Sequence, residues 1–362
     1  GGAGNDTLSG GAGTNYLHGG GGVNTVDYSD ASNEVTVDLS KSGIQEVYTV
    51  GATTVKDVLV NIQNVIGSNH KDIITGNSSA NSLYGGLGND TIVGSSGNDT
   101  LDGGDGIDVA SYTDATEDLN IDLGVSGVAV SISPTYGSDT FISIEGAIGG
   151  SGDDTITGTS SSNVLIGGDG DDTLLPNGNN GNDELDVIDG GSGTDFVSFA
   201  FGGATNVTLD LADSGVQNTG KGKVQITNIE NVEGGAGADK LYGNSSNNTL
   251  SGLAGDDTLV GRAGNNKLDG GADFDTADYS SVSSLNGLNV NLGLATEQVQ
   301  NNGYVGKDTL VDIEKIIATN NADIIQGSTT RVDANTLYFE LGAGNDTIYA
   351  GSGANVIYTS RI

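Results

Sequence analysis

A nine-residue repeat runs through this sequence and constrains its fold more than any other feature. Residues 67–111 divide into GSNHKDIIT, GNSSANSLY, GGLGNDTIV, GSSGNDTLD and GGDGIDVAS, which follow G-G-x-G-x-D-x-U-x, where U is a large apolar residue. Glycine allows positive φ and close backbone approach, so the first six positions can form a sharp turn. The x-U-x that follows predicts a short strand with U directed into the core. The sequence therefore predicts a stack of short turns and strands.

The sixth position of the repeat predicts a cation site. Its aspartate adds a carboxylate to the carbonyl oxygens of the glycine-rich turn. Oxygen ligands in a flexible loop suit Ca²⁺ better than Mg²⁺, which requires a tighter octahedron. We therefore expect multiple Ca²⁺ ions. The candidate metal-binding residues are Asp6, Asp72, Asp90, Asp99, Asp108, Asp154, Asp172, Asp183, Asp195, Asp239, Asp257, Asp275, Asp323 and Asp346, with the loop glycines Gly86, Gly88, Gly97, Gly104, Gly106, Gly168, Gly170, Gly235, Gly237 and Gly255.

Composition agrees with a metal-loaded solenoid. Gly contributes 62 of 362 residues, and aromatic content is 5%, which is too little for a thick globular core. The formal charge of −36 makes nucleic acid and anionic membranes unlikely partners. Bound Ca²⁺ would offset this charge, whereas the metal-free chain is expected to be disordered. The absence of Cys fits a secreted protein that uses metal in place of disulfides.

The order of the segments reveals a second, longer period. Blocks of nonapeptides alternate with apolar segments such as 28–66, which carries the alternating stretch VTVDL. We expect these segments to continue the solenoid, since a structureless loop of this length is improbable in a compact array; small globular inserts or loops are the alternative. The predicted organisation is 1–27, N-terminal calcium repeats; 28–111, unit 1 (strand segment 28–66 and calcium repeats 67–111); 112–198, unit 2; 199–278, unit 3; and 279–362, unit 4.

These nonapeptides resemble the calcium-binding repeats of RTX (hemolysin-type) proteins. The resemblance covers the repeat blocks, about half of the chain, and implies an all-β fold, a right-handed parallel β-roll or β-helix, elongated and built from repeats. It also implies that two nonapeptides make one coil, that each ion lies between loops eighteen residues apart, and that a type I exporter secretes the unfolded chain. No hydrophobic run approaches the ~18 residues of a membrane span. The chain opens within a repeat and without Met, so we interpret it as a processed product or a fragment of a longer protein.

With two nonapeptides per coil, alternate repeats fall on opposite edges of the solenoid. One edge carries Asp72, Asp90, Asp108, Asp154, Asp172, Asp239, Asp257 and Asp275; the other carries Asn81, Asp99, Asn163, Asp183, Asn248 and Asn266. Because Asn offers one neutral oxygen, we expect a strong calcium row on the first edge and a weaker one on the second. The alternative for each Asp is an Asx-turn carboxylate that bonds its own backbone, above all for Asp72 and Asp323, whose repeats lack the glycines. Residues expected to be structural are Asn15, Asn24, Asn81, Asn163, Asn248 and Asn335.

No catalytic pattern stands out. The two histidines, His18 and His70, lie outside any HExxH motif, and there is no Cys nucleophile or G-x-S-x-G elbow. Carboxylates that recur every nine residues look like a ladder, whereas an active site would break the symmetry. Four aromatic residues, which we expect to be exposed, occupy one equivalent position in the four units, and we expect them to pack at the junctions; a sugar-stacking surface is the alternative. They are Tyr28, Tyr112, Phe199 and Tyr279.

The sequence thus predicts a non-enzymatic, extracellular calcium-binding structural or surface protein of bacterial type. A surface layer, an adhesin stalk or a filament would each fit, with folding and stiffening driven by Ca²⁺. The alternative is the repeat region of a type I-secreted enzyme, such as a protease, lipase or polysaccharide-modifying enzyme, whose catalytic domain is absent from this sequence. A carbohydrate-binding module is a third interpretation. Expected partners are further copies of the chain, end to end or in a lattice, and a cell-surface glycan, without membrane insertion.

Overall fold

A computed structural model describes residues 1–177, 184–201, 203–282, 287–294, 296, 298–300, 306–327, 337–349 and 355–358. Every regular element within these ranges is a β-strand, which confirms the all-β prediction. The first twenty strands are β1 Thr7–Leu8, β2 Thr14–His18, β3 Thr25–Asp27, β4 Thr36–Asp38, β5 Gln45–Val50, β6 Thr53–Val60, β7 Asn64–Ile66, β8 Ile73–Thr75, β9 Ser82–Leu87, β10 Thr91–Val93, β11 Thr100–Asp105, β12 Val109–Ser111, β13 Asn120–Asp122, β14 Ala129–Ser133, β15 Gly137–Ile142, β16 Gly146–Ile148, β17 Thr155–Thr157, β18 Val164–Asp169, β19 Thr173–Leu175 and β20 Leu185–Ser192.

The remaining strands have the same short lengths. They are β21 Phe196–Ser198, β22 Thr208–Asp210, β23 Val216–Asn218, β24 Lys223–Thr227, β25 Asn231–Gly235, β26 Lys240–Tyr242, β27 Thr249–Ala254, β28 Thr258–Val260, β29 Lys267–Ala272, β30 Thr276–Asp278, β31 Asn289–Asn291, β32 Val299–Gln300, β33 Lys307–Val311, β34 Lys315–Ile317, β35 Ile324–Gln326, β36 Leu337–Glu340, β37 Thr347–Tyr349 and β38 Asn355–Tyr358. A helix long and apolar enough to cross a membrane does not occur in the described ranges.

The chain divides into two compact bodies. The first comprises Gly1–Pro176 and Val187–Gly193, and the second comprises Asn177–Asp186 and Thr194–Ile362. The predicted division into four sequence units is a finer one, and it stays a prediction.

Within the first body, alternate strands stack in parallel. Strand β10 pairs with β8 and β12, and β9 pairs with β7 and β11, all in parallel register. Within the strict repeats, paired strands begin eighteen residues apart, as Thr91 opposite Ile73 shows, whereas an irregular, longer repeat places Val164 opposite Val187. Two nonapeptides therefore complete one coil, as the resemblance implies. The second body repeats this pattern, with β27 between β25 and β29 and β28 between β26 and β30.

The apolar U positions form the core. Ile74, Leu83, Ile92 and Leu101 are each fully buried. Parallel register places Ile74 opposite Ile92, and Leu83 opposite Leu101, so each column of U side chains packs on the coil before it. A full aliphatic side chain contributes roughly 1.5–3 kcal/mol when buried. One such residue per nonapeptide is enough to build a thin, continuous core.

In the segments between repeat blocks, one stack of strands ends and a new stack begins. In the second segment, β15 pairs in parallel with β11 and carries the antiparallel partner β14 on its other side. Meanwhile β13 begins a new stack by pairing with β17, and β16 continues the opposite stack between β12 and β18. The segment therefore contributes strands to the solenoid and adds one hairpin.

The first and fourth segments have the same construction. In the first, β4 starts a stack at β8, the hairpin β5–β6 pairs with β2, and β7 continues between β3 and β9. In the fourth, β31 starts at β35, β33 pairs with β29, and β34 continues between β30 and β36. Here β32 lies antiparallel to both β31 and β33.

The four equivalent aromatic residues are buried, so the expectation that they are exposed is wrong. Tyr28, Tyr112, Phe199 and Tyr279 are at most 5% exposed. Three of these rings direct a hydroxyl group at a buried aspartate, which anchors them inside the segment and keeps them from stacking against a sugar. Packing at the junctions, the role predicted for them, agrees with this burial.

Candidate calcium-binding rows

The position-six aspartates form rows of backbone acceptors along the stack. Oδ1 of Asp90 accepts the backbone N–H of Asp72 at 2.7 Å, and Oδ1 of Asp108 accepts that of Asp90 at 2.7 Å. The second body repeats this between Asp239 and Asp257, at 2.7 Å. Donor and acceptor lie eighteen residues apart in each pair. Each carboxylate therefore ties its own coil to the preceding one.

Aspartates that lead a repeat block use both oxygens for the backbone. Oδ1 of Asp72 accepts the N–H of Val35 at 2.8 Å, and its Oδ2 accepts that of Ser68 at 2.5 Å. The bond to Ser68 lies within the same repeat, as the Asx-turn alternative predicts. Equivalent pairs of bonds are formed by Asp154, Asp239 and Asp323. These leading aspartates fasten the first strand of a new stack to the repeats that follow it.

Aspartates further along the rows keep one oxygen unused. The Oδ2 atom is buried and has no hydrogen-bond partner in Asp90, Asp99, Asp108, Asp257 and Asp275. An unpaired buried carboxylate oxygen is costly, because it has lost water without gaining a donor. Four of these five lie on the edge predicted to bind calcium more strongly, and Asp99 lies on the other.

Burial shifts the acidity of these carboxyl groups strongly. It raises the pKa of Asp257 to about 8, with the charges of Asp239 and Asp275 adding to the effect. It raises the pKa of Asp90 and Asp99 to about 7, and that of Asp108 to about 6. Backbone N–H donation opposes the shift in each case but does not cancel it. A cation bound at the unused Oδ2 would remove the free-energy cost of burying the ionised carboxylate.

The loop glycines let successive turns stack closely. Gly86 and Gly104 have φ of +119° and +97°, a region that L side chains rarely adopt. A Cβ added to Gly104 would lie 2.1 Å from the carbonyl oxygen of Gly86. The first glycine of each strict repeat faces its aspartate, since a Cβ on Gly85 would lie 2.3 Å from Oδ2 of Asp90. Glycine thus leaves space beside the unused oxygen and brings carbonyls toward the next turn.

The predicted division into an aspartate edge and an asparagine edge is wrong across a segment, because β16 joins the stack of β8, β10 and β12 to β18, the strand that follows Asn163. Where asparagine takes the place of aspartate, it forms hydrogen bonds at both ends of its amide. Oδ1 of Asn266 accepts the N–H of Asn248 at 2.9 Å, the same bond that aspartate forms elsewhere. Nδ2 of Asn248 donates to the carbonyl of Glu230 at 2.6 Å, and Nδ2 of Asn81 donates to that of Gln63 at 2.7 Å. These bonds agree with the structural role predicted for asparagine.

Sequence reasoning missed the carboxylates that carry the rows across the segments. Oε2 of Glu145 accepts the N–H of Asp108 at 3.0 Å, and Oδ1 of Asp139 accepts that of Asp99 at 2.9 Å. The donors precede them by 37 and 40 residues, so neither fits a nine-residue period. A signal was present in the recurring pair Ile-Glu or Ile-Gln near the end of each segment. The equivalent acceptors of backbone N–H groups are Gln63, Glu230, Glu314 and Asp308, and Oδ1 of Asp57 accepts the side-chain amide of Asn15.

The remaining predicted aspartates form row bonds of the same kind, apart from a residue that the structure does not describe. Asp6 donates its N–H to Oδ1 of Asn24, and Oδ1 of Asp346 accepts the N–H of Asp323. Asp154 donates its N–H to Oδ1 of Asp172, and Asp195 donates to Oε2 of Glu230. Asp183 and Asn335 lie outside the described residues.

The loops fit Ca²⁺ in the chemistry of their donors. Among the residues that the structure describes, no three His, Cys, Asp or Glu side chains lie together as a metal cluster. The oxygens that the rows provide are single carboxylates and backbone carbonyls, which are hard ligands suited to Ca²⁺. Residues that would hold the ions are the aspartates with an unused Oδ2 and the glycine loops beside them. Bound Ca²⁺ supplies positive charge to carboxylates that the chain has already removed from water.

The effect of Asp90→Asn on stability should change sign when calcium is added. The amide retains an acceptor for the N–H of Asp72 but carries no charge, as Asn266 does in its own row. In chelator at pH 8 we expect the variant to retain more β-structure than the parent chain. In millimolar calcium it should be less stable, by about 2.7 kcal/mol for a lost ion held at a hundredfold excess over its Kd.

Far-UV circular dichroism in chelator and denaturant unfolding in calcium measure this reversal. Asp105→Asn is the matched control, because Asp105 is exposed in the same repeat block and its replacement removes the same charge. Equal effects of the two substitutions in calcium would contradict a metal-binding role for Asp90.

Comparison with known proteins agrees with this reading of the rows. The family model for the RTX calcium-binding nonapeptide repeat matches residues 1–30, 66–101, 75–110, 148–185, 227–259, 242–277 and 339–361. These ranges together cover just over half of the chain. A search of the curated proteins finds no match. With its nonapeptides, its parallel coils and its rows of aspartate, the chain belongs to the family of RTX calcium-binding nonapeptide repeat proteins, and its cofactor is Ca²⁺ in several copies.

Proposed function

We propose that this protein is an extracellular structural protein of a bacterial surface, as a surface layer, adhesin stalk or filament, that stiffens when Ca²⁺ fills its rows. The observation that carries the proposal is the row of buried aspartates, which continues through the segments by way of Glu145 and Asp139. A metal that only supported a neighbouring catalytic domain would not require the segments to extend the rows in this way.

The proposed mechanism couples folding to calcium. A chain with a net charge of −36 repels itself while calcium is scarce, as it is inside a cell. Family membership supports export of such a loose chain by a type I secretion system. Millimolar calcium outside the cell then neutralises the buried carboxylates and fixes the coils. The protein acts by being stiff and repetitive, and we propose no catalytic role for it.

Further copies of the chain are the partner that we propose first, followed by a cell-surface glycan. Within the described residues, each sheet ends in a strand that pairs on one side, and such edges pair readily with another strand. A solenoid end can therefore continue into the next copy without any new chemistry.

Sedimentation velocity during a calcium titration tests the surface role. We expect oligomers to form as calcium rises from zero to millimolar, and to dissociate on chelation. Magnesium at the same concentration is the control, because it should neither fold nor assemble the chain. A chain that folds with calcium yet stays monomeric at high protein concentration would overturn the surface role and favour the repeat region of a secreted enzyme.

A further inference from the structure

The third segment lacks a buried pair that the other three segments share. In those three, a tyrosine hydroxyl donates to a buried aspartate: Tyr28 to Asp57 at 2.9 Å, Tyr112 to Asp139 at 2.6 Å, and Tyr279 to Asp308 at 3.0 Å. In the third segment the equivalent residues are Phe199 and Val224, each 1% exposed. Both polar partners have been replaced together, so neither is left unsatisfied.

Lys221 enters this segment in a position unusual for a lysine. Its side chain is only 7% exposed. Its Nζ donates to the backbone carbonyls of Phe199 and Phe201, at 2.6 Å each. The ammonium group also lies 5.3 Å from the centre of the Phe201 ring. A buried lysine is rarely tolerated unless its charge is compensated.

Part of the compensation comes from the leading aspartate of the third repeat block, although burial still lowers the pKa of Lys221. A Cβ on Gly235 would lie 2.8 Å from Nζ of Lys221, so the first turn of that block packs directly against the ammonium group. The same turn donates the N–H of Gly235 to Oδ2 of Asp239 at 2.6 Å. The charges of Lys221 and Asp239 favour one another across this turn. Two carbonyls thus bind a cation tethered to the chain, and the Asp239 carboxylate attracts it from a longer distance.

In the first two segments, a backbone turn occupies the position that the Lys221 ammonium group occupies in the third. The carbonyl of Tyr28 accepts the N–H of Ala31, and that of Tyr112 accepts the N–H of Ala115, both at 2.8 Å. The carbonyl of Ala115 then lies 2.4 Å from a Cβ built on Gly150, the counterpart of Gly235. A neutral turn therefore fills the space that an ammonium group fills in the third segment.

We propose that Lys221 is an internal cation, which takes the place of a metal ion at the start of the third repeat block. The two backbone carbonyls that its ammonium group binds are ligands of the kind that the calcium loops present, and a position-six carboxylate attracts it across the turn. This junction stays neutralised without calcium, and it offers a fixed starting turn for the row Asp239, Asp257 and Asp275. The proposal depends on calcium binding by the rows and not on the surface role.

Lys221→Met tests the internal cation directly. Methionine is similar in length and apolar, so it preserves the packing while removing the charge from the two carbonyls and Asp239. We expect Lys221→Ala, which removes the charge and also vacates the space of the side chain, to bind one more Ca²⁺ per chain than the parent, counted by native mass spectrometry. In chelator at pH 5, where β-structure should return, we expect the unfolding midpoint of Lys221→Met to be lower than that of Lys240→Met, the matched control, in which an exposed lysine of the same block is replaced. An ion count for Lys221→Ala equal to that of the parent, or equal midpoints for Lys221→Met and Lys240→Met, would overturn the proposal.

Amine labelling of the unmodified protein provides a test that needs no variant to fold. In saturating calcium, reductive methylation should modify Lys240 readily and leave Lys221 at least tenfold slower to react. If Lys221 reacts as fast as Lys240, its ammonium group is not held in the carbonyl cage and the proposal fails.

Discussion

Chelation of calcium at neutral pH is expected to remove most of the β-structure of this protein. The unused Oδ2 atoms of Asp90, Asp108, Asp257 and Asp275 are buried without donors, and burial raises the pKa of each carboxyl group. Ionised and unpaired, each weakens the fold, and the cost recurs along each row. Far-UV circular dichroism during chelation, and again during calcium addition, measures the loss and its recovery. A β-spectrum that survives excess chelator unchanged at pH 8 would contradict this account.

Acid provides the internal control for that experiment. The folded-state pKa values of about 6 to 8 lie above the ordinary aspartate value near 3.9, so the unfolded chain ionises first as pH rises. The chelated fold is therefore most stable below about pH 4 and loses stability as pH rises toward 8. Lowering the pH of the chelated protein from 8 to 5 should restore β-structure, whereas the same change should weaken calcium binding, because protons compete for the carboxylates.

Gly104→Ala should be among the most damaging single substitutions in the chain. Its Cβ would lie 2.1 Å from the carbonyl oxygen of Gly86, and φ of +97° is itself strained for alanine. Overpacking costs about 1–3 kcal/mol, and a left-handed backbone adds about 1–2 kcal/mol. We expect a loss of roughly 2–5 kcal/mol in calcium, measured by denaturant unfolding.

Gly127→Ala separates the two causes. Gly127 has φ of +75°, yet a Cβ there would meet nothing within 4 Å. The Gly127→Ala variant should therefore lose only the part of the stability that is due to backbone strain. If the two substitutions cost the same, close stacking of successive turns is not what requires glycine at position 104.

The nine-residue period made the turns and the buried U positions predictable, and the resemblance to RTX repeats added the coil of two nonapeptides and the aspartate rows. Each depends on residues at fixed spacing, such as Asp72, Asp90 and Asp108, so a local pattern is enough to place them. The exchange of stacks at the segments could not be predicted, because β15 meets β11 only after a new strand, β13, has been inserted between them in sequence. Glu145 and Asp139 were missed for the same reason.

The aromatic residues show a second limit. Tyr112 and Tyr279 recur at equivalent positions, and recurrence alone does not separate a buried ring from an exposed one. Their burial depends on Asp139 and Asp308, which lie 27 and 29 residues away and give each hydroxyl group an acceptor. Lys221 was overlooked because a lone lysine in an acidic chain carries no periodic signal.

The pairing of strands eighteen residues apart also limits how the length of such a protein can change. Removing one whole coil from a repeat block would leave every remaining carboxylate opposite the N–H that it accepts. Removing a single nonapeptide would instead bring Asn81 and its row into line with Asp90 and its row, and would exchange the two edges beyond that point. Insertion or deletion of nonapeptides therefore preserves the rows only when an even number of repeats is added or removed.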